Sequence, residues 1–381
     1  MPETFPLRIL IHGHYNKRNV GDEGLLVSMV TALARHLGPV PTEMAYVADH
    51  DLALPALPLV TYRRLPNAFR EVLRYARRAH LVIFGGGSQF QDFGSPQRTR
   101  FLVKPLVLAL VARRVGGAGL SLGPLQTRPG RLLARLTLRR MRAIHVRDDE
   151  SVEVARRLGV RALRGEDLLL TQRLSGTGSP RKPPALLMVS LVPFTATRRL
   201  TPAQQEQVLG NLAAALRAAG ERFPWLALQG AAFEERSDMP VLQAVMPGAV
   251  APLRGDLTVM VQGMDRASFV LATRLHSLIF AFLLHKPTLV VCYHPKVRAL
   301  AEQLGYPERA LVTPEDLLDA KVLAEYLDAL LTRPLEFMPS RAPEEVRVQA
   351  EVNLEAFLSS LLKGLVHDHP DRERQRHHPV F

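Results

Sequence analysis

Residues 268–296, SFVLATRLHSLIFAFLLHKPTLVVCYHPK, contain a strand, a turn, a helix, a second strand and a loop in succession. The short apolar run Phe269–Leu271 leads into Ala-Thr-Arg-Leu-His. Leu278–Leu284 is long enough for about two helical turns, and Lys286-Pro287 ends it, because proline lacks the N–H that helix propagation needs. Thr288–Tyr293 is rich in β-branched residues and suits a buried parallel strand. A strand–helix–strand unit of this kind belongs to a parallel sheet, in which ligands bind at the carboxyl ends of the strands. Arg274, His276 and Lys296 fall at those hand-over points, so three cationic or titratable groups stand where an anion would. An Arg-x-His pair also serves as a structural donor pair, and residue type alone does not separate the two roles.

The same alternation runs through the chain on either side. Arg8–Gly13 reads as a strand, followed by a polar loop ending in Gly21-Asp22-Glu23 and a helix to Leu37, with apolar spacing at Leu26, Val30, Leu33 and Leu37. Acids at a helix start complement its dipole, which gives Asp22 and Glu23 a capping role as an alternative to a functional one. Strands are expected near Glu43–Ala48 and Leu81–Phe84, the second running into Gly85-Gly86-Gly87-Ser88. Three glycines after a strand let backbone approach a ligand, and a helix beyond would offer N–H groups to an anion. The turn is neither a Walker A loop nor a full dinucleotide fingerprint. Further strands are expected at Ala118–Leu122, Ala143–Val146, Val160–Leu163, Ala185–Leu191 and Trp225–Gln229, with helices between them. The sequence therefore predicts an α/β protein of two Rossmann-like parallel-sheet domains facing a cleft. Residues 1–174 form the first domain, the Ser/Gly/Pro-rich stretch 175–184 a linker, and residues 185–342 the second domain. A helix over 343–366 and a disordered tail over 367–381 complete the chain.

At 381 residues and 47% hydrophobic content, the chain can bury two sizeable cores. Phe101–Ala112 carries Lys104 and Pro105 and is too short to span a bilayer. The N-terminus lacks the basic and cleavable regions of a secretory signal, and the one cysteine, Cys292, excludes an intrachain disulfide. A cytoplasmic protein is expected. The charge is uneven: residues 1–173 hold 27 Lys+Arg against 14 Asp+Glu, whereas residues 174–381 hold 22 of each. Arg131, Arg135, Arg139 and Arg142 recur at helical spacing, and Arg70, Arg74, Arg77 and Arg78 offer a second basic face. Such faces are either solvated or attract polyanions, including an anionic membrane leaflet. No helix-turn-helix, zinc-finger or RRM signature points to nucleic acid. His367, His369, His377 and His378 in the tail would bind metal adventitiously, and no metal site is expected.

Several of these stretches together resemble the bacterial polysaccharide pyruvyl transferases, which place pyruvate ketals on cell-wall polysaccharides. Asn19-Val20-Gly21-Asp22-Glu23 is similar to the family's Asn-x-Gly-Asp-Glu. Gly85-Gly86-Gly87-Ser88 with Gln91-Asp92 is similar to its GGGS…QD, and Leu122-Gly123-Pro124 to its Gly-Pro turn. Val146-Arg147-Asp148 with Ser151 is similar to VRD…S. Arg274-Leu275-His276 and Tyr293-His294-Pro295-Lys296 are similar to RLH and YDPK. The motifs occur in the family's order and cover most of residues 8–305. The resemblance implies a fold similar to two-domain glycosyltransferases of the B type, phosphoenolpyruvate as co-substrate without a further cofactor, and a soluble or lipid-linked sugar diol as acceptor.

Forming a ketal from an enol phosphate needs a proton for the methylene carbon, a base for the attacking hydroxyl, and cations around carboxylate and phosphate. On that chemistry His276, Asp22 and Asp92 are the candidate acids and bases. Arg274 suits bidentate capture of the donor, and Lys296 suits the departing phosphate. Asn19, Glu23, Gly86, Gly87, Ser88 and Gln91 are candidates for the acceptor side. Two departures stand out. The family's Arg in a Ser-Leu-Arg context is absent from Ser190-Leu191-Val192-Pro193-Phe194, leaving Arg198 and Arg199 as the nearest substitutes, and His294 replaces the aspartate of YDPK. A nucleotide-sugar glycosyltransferase of the same architecture and a non-catalytic member that binds wall precursors are the rival readings.

Overall fold

The structure is a computed structural model that describes residues 6–15, 18–174, 185–194, 200–247 and 256–365. The expected linker 175–184, Arg198, Arg199 and the His-rich tail lie outside the described residues. The chain divides into two compact units. The first holds the chain up to Lys17, Asp22–Thr171 and the last helix from Val348 on; the second holds Arg18–Gly21 and Gln172–Arg347.

The first unit is built from β1 (Leu7–His12), α1 (Val20–Leu37), β2 (Thr42–Val47), β3 (Val60–Leu65), α2 (Phe69–Ala76), β4 (Leu81–Phe90) and α3 (Pro96–Arg100). It continues through α4 (Val103–Val111), β5 (Val115–Leu122), α5 (Arg128–Arg140), β6 (Ala143–Val146), α6 (Asp149–Arg157) and β7 (Leu163–Arg164). Its seven strands are parallel in the order β3-β2-β1-β4-β5-β6-β7. The inner strands read as apolar runs because helices cover both faces. One face packs Leu10, Val82 and Phe84 against Val72 of α2, Leu108 of α4 and Leu138 of α5.

The second unit contains β8 (Ala185–Ser190), α7 (Pro202–Arg222), β9 (Leu226–Gly230), α8 (Glu235–Val245), α9 (Leu257–Arg266), β10 (Phe269–Ala272) and α10 (Leu275–Leu283). It closes with β11 (Thr288–Val291), α11 (Pro295–Gln303), β12 (Leu311–Val312), α12 (Ala320–Thr332) and the first turn of α13 (Pro343–Leu362). Its five strands are parallel in the order β12-β11-β10-β8-β9. The chain runs outward from β8 to β9, then returns to the other side of β8 with β10. That reversal makes the carboxyl ends of β8 and β10 the switch point where an open parallel sheet takes ligands. Ser190 ends β8, and Thr273-Arg274 follow β10. The architecture is the expected α/β pair of parallel-sheet domains.

One local expectation is corrected. The glycine run after Phe84 is no turn: β4 continues through it to Phe90, and no helix begins there. Gly86 and Gly87 have φ of 63° and 74°, which kinks the strand within its own ladder and shifts the register against β5. The VRD…S segment also has a structural role. The carboxylate of Asp148 caps α6 by accepting from Ser151 N (2.7 Å), and Ser121 Oγ donates to it at 3.0 Å.

Candidate functional site

At the switch point of the second sheet the start of α8, the junction of β10 with α10 and the loop after β11 bring together Glu234, Ser237, Asp238, Arg274 and Tyr293, and His276 and Lys296 lie in the first turns of α10 and α11. Arg274 is the N-cap residue of α10 and lies in an extended conformation at the strand–helix junction. Its Nε donates to Asp238 Oδ2 at 3.1 Å. Its Nη2 donates to Asp238 Oδ1, to Ser237 Oγ at 2.7 Å and to Glu234 Oε2 at 3.4 Å. Asp238 is fully buried and also accepts from the backbone N–H groups of Phe233 and Glu234, at 3.0 Å each. The Nε–Nη2 edge expected to fork onto a donor anion is thus occupied by a carboxylate of the same chain. This corrects the expectation of an open bidentate clamp at Arg274. Burial opposes the cation, but the hydrogen bonds to Asp238 and the negative charge around it outweigh that and raise the arginine's pKa. Burial raises the Tyr293 phenol above its ordinary range, while the nearby Arg274 charge opposes that shift.

Arg274 is half-buried in its ion pairs, and its side chain, which carries donors only, forms no hydrogen-bonded cap on α10. The first turn of α10, with His276 in it, starts at the switch point. Next to it, on the neighbouring strand, α11 starts at the same edge. There the Lys296 N–H donates to His294 Nδ1 at 3.1 Å, so His294 caps α11 as an aspartate would. The departure from YDPK keeps the cap and removes a negative charge. Lys296 occupies the first turn of α11, half-buried. At the end of β8, Ser190 Oγ is buried without a hydrogen-bond partner among the described residues.

The segment Arg18–Gly21 completes this unit. Asn19 forms an antiparallel bridge with Glu234, and Val20 N donates to Phe233 O at 2.9 Å. Asn19 Oδ1 accepts from Gly21 N at 3.0 Å. Gly21 lies against the root of the His276 side chain: a Cβ there would overlap Nδ1 and Cγ and come within 2.6 Å of the His276 Cβ. Two motifs more than 250 residues apart in sequence therefore pack on each other, at Gly21 and His276.

The remaining candidates belong to the first unit. Asp22 is half-buried beside Gly87, where a Cβ would stand 3.6 Å from its Oδ1. Ser88 and Gln91 are half-buried along and just after β4. Gly86 is not open for a ligand to approach, because a Cβ on it would meet Leu25 of α1 at 2.7 Å. Glu23 is buried, with His50 Nε2 at 3.2 Å from its Oε1. Asp92 is fully buried and accepts from Gly94 N (2.9 Å), Gln126 N (2.8 Å), Thr127 N (3.0 Å) and Thr127 Oγ1 (2.6 Å). Burial alone would raise its pKa, but these donors hold it below the usual carboxylate value. A carboxylate so enclosed is a loop clasp, which corrects its candidacy as a general base. Among the described residues no group of His, Cys, Asp and Glu is placed to hold a metal ion.

Glu234, Ser237 and Asp238 were not singled out from sequence, where Phe233–Asp238 reads only as a charged loop. Their signal was a Ser and three acids directly after a strand in a parallel-sheet pattern.

Comparison of the sequence with family models and with curated proteins gives no match. The fold does have counterparts among solved structures. UDP-GlcNAc 2-epimerase from Neisseria meningitidis, bound to UDP-GlcNAc, matches with a TM-score of 0.57 and 11% identity, over 94% of this chain and 100% of that one. MnaA of S. aureus, solved with UDP, matches with a TM-score of 0.55 and 11% identity, over 93% of each chain. A UDP-forming α,α-trehalose-phosphate synthase from Burkholderia vietnamiensis matches with a TM-score of 0.51 and 11% identity, over 96% of this chain and 99% of that one. The chain has the two-domain Rossmann-like fold of nucleotide-sugar epimerases and B-type glycosyltransferases.

Proposed function

We propose that the chain is a transferase-type enzyme that holds a phosphate-bearing donor at the carboxyl edge of its second sheet and acts on a saccharide. A nucleotide sugar is the donor class supported best. The observation that carries this reading is the start of α10 at the switch point after β10, with α11 starting after the adjacent strand β11. The start of α10 suits a phosphate through its N–H groups and dipole, and α11, whose first amides are taken by His294, adds its dipole and the Lys296 charge. Proteins of this fold that hold UDP-GlcNAc or UDP give the donor class its support. Lys296, in the first turn of α11, supplies a charge to the departing phosphate. His276, in the first turn of α10, is the proton carrier, as imidazole suits transfer at neutral pH. Arg274 acts as a positioning residue that holds the first turn of α8 through Glu234, Ser237 and Asp238.

The packing of Gly21 on His276 favours a second reading, pyruvyl transfer from phosphoenolpyruvate, because it unites two of the motifs that carry that resemblance. Phosphorus NMR separates the two. The protein is incubated with UDP-sugars, and separately with phosphoenolpyruvate, each with and without lipid-linked wall oligosaccharide. Acceptor-dependent appearance of UDP supports the nucleotide-sugar reading. Acceptor-dependent inorganic phosphate from phosphoenolpyruvate, with UDP-sugars left intact, replaces it with pyruvyl transfer.

A further inference from the structure

The first unit's charge is concentrated on one helical layer. Residues 96–142 contain eleven Lys and Arg and no Asp or Glu. Arg114 and Arg142 are engaged with carbonyls at the end of the last helix and Arg131 with those of Leu125 and Gln126, and the other eight lie elsewhere. Within the layer α4 packs between α2 and α5, and Lys104 at its start donates to Asn67 Oδ1 at 2.9 Å. All three helices put their apolar faces, with Val72, Leu108 and Leu138, against the same face of the sheet.

Their outward faces are unlike an ordinary solvated surface. Phe101, just before α4, is 75% exposed, Leu110 at its far end is 59% exposed, and Val103 is exposed between them. Leu132 and Leu136, one helical turn apart on α5, are exposed too. On α5 the exposed arginines Arg128, Arg131, Arg135 and Arg139 form one row at spacings of three and four. On and just beyond α2, exposed Arg70, Arg74 and Arg77 form a second row, in which Arg74 also pairs with Glu71 at 2.7 Å. The α4 helix and its flanks, with exposed phenylalanine, valine and leucine and no acid, lie between the two rows. Large apolar side chains grouped on adjacent helices mark an interaction surface, whereas scattered ones do not. Arginine rows beside them match the amphipathic pattern of a surface lying in a lipid headgroup region. No helix among the described residues is long and apolar enough to cross a membrane, so any lipid contact of this layer is peripheral.

We infer that the α2–α4–α5 face docks on an anionic phospholipid leaflet, with the α4 apolar residues inserted among the headgroups and the two arginine rows on the lipid phosphates. Acidic protein partners fit the arginines but leave the exposed Phe101 and Leu110 without a purpose, and so does nucleic acid.

The test is co-sedimentation of the full chain with vesicles of phosphatidylcholine alone or mixed with phosphatidylglycerol, over a salt series. A heparin column serves as a lipid-free polyanion. Each arginine near an anionic leaflet is worth about a fivefold change in binding, so Arg128, Arg131, Arg135 and Arg139 replaced together by Gln should weaken partitioning several-hundred-fold. Phe101→Ser with Leu110→Ser should remove the part of the binding that survives high salt and leave heparin retention unchanged. Unaltered melting of each variant by circular dichroism keeps loss of fold out of the result. Absence of wild-type binding to the phosphatidylglycerol vesicles overturns the inference. So does vesicle binding that the Phe101/Leu110 change leaves intact at every salt concentration, which would make the face a general polyanion site.

Discussion

Gly21→Ala is the substitution with the most to say about the second unit. Gly21 is not among the positive-φ residues, so alanine meets no backbone penalty of that kind there. The whole effect comes from space. The new methyl would overlap Nδ1 and Cγ of His276 and stand within 2.6 Å of its Cβ. Cβ and Cγ are the root of the side chain and cannot swing away as a flexible tip would, so either the imidazole leaves its rotamer or the Asn19–Gly21 segment moves off Phe233 and Glu234. Overpacking of this kind costs about 1–3 kcal/mol. For a unit of this size that is a melting-temperature loss of about 2–12 °C. His276→Ala in the same chain removes the obstacle. A double-mutant cycle by calorimetry should therefore show the pair more stable than the sum of the single changes, by about 1–3 kcal/mol. Gly21→Ala should also abolish turnover, because it displaces the proton carrier. A Gly21→Ala protein of wild-type stability, or a cycle that closes with no coupling, refutes the packing of this motif on His276.

Asp92→Ala removes the acceptor of four hydrogen bonds and should destabilise the first unit by about 3 kcal/mol or more, while residual folded protein retains donor binding; unchanged stability with lost turnover would restore Asp92 as a base. Acidification should weaken the same unit. Burial pushes His145 down to about 4, with the Arg164 charge adding to it, and His12 down to about 3, with Lys104 adding to it. Both are held neutral in the fold, so the unfolded chain binds more protons below its ordinary histidine value. The stability is complete above about pH 6.5 and lost as pH falls toward 4, with about 3 kcal/mol from His145 alone; urea titrations that give equal stability at pH 7 and pH 4.5 contradict this. His294→Asp should preserve the α11 cap, whereas His294→Ala should cost about 1 kcal/mol, read as a shift in denaturation midpoint; equal midpoints for the two variants remove His294 from the cap.

The fold was legible because parallel strands covered on both faces leave apolar runs, as Leu81–Phe84 and Thr288–Val291 do. Strand β3 escaped notice for the same reason in reverse: at the sheet edge, VTYRRL alternates half-buried and exposed residues and carries two arginines. The glycines of β4 read as a turn because composition does not distinguish a kink within a ladder from its end. In the site, Arg274 and His276 could be placed from the strand–helix junction alone. The partners that neutralise Arg274 lie 36 to 40 residues earlier and meet it only in the fold, where β9 and β10 both lead to the same sheet edge. Asp92 looked like a base because most of its donors are backbone amides, which leave no mark in a sequence. The membership of Arg18–Gly21 in the second unit is likewise a tertiary fact, seen in the Asn19–Glu234 bridge, the Val20–Phe233 hydrogen bond and the packing of Gly21 on His276.

The claim that a phosphate-bearing donor sits at the α10 and α11 helix starts is tested most directly by calorimetric titration. UDP and phosphoenolpyruvate are titrated separately into the wild type and into Lys296→Gln. The account predicts that at least one of them binds the wild type, and that Lys296→Gln weakens that binding about tenfold, the loss of one charge-assisted contact. Binding of neither compound to the wild type, or equal affinity in the two proteins, would contradict it.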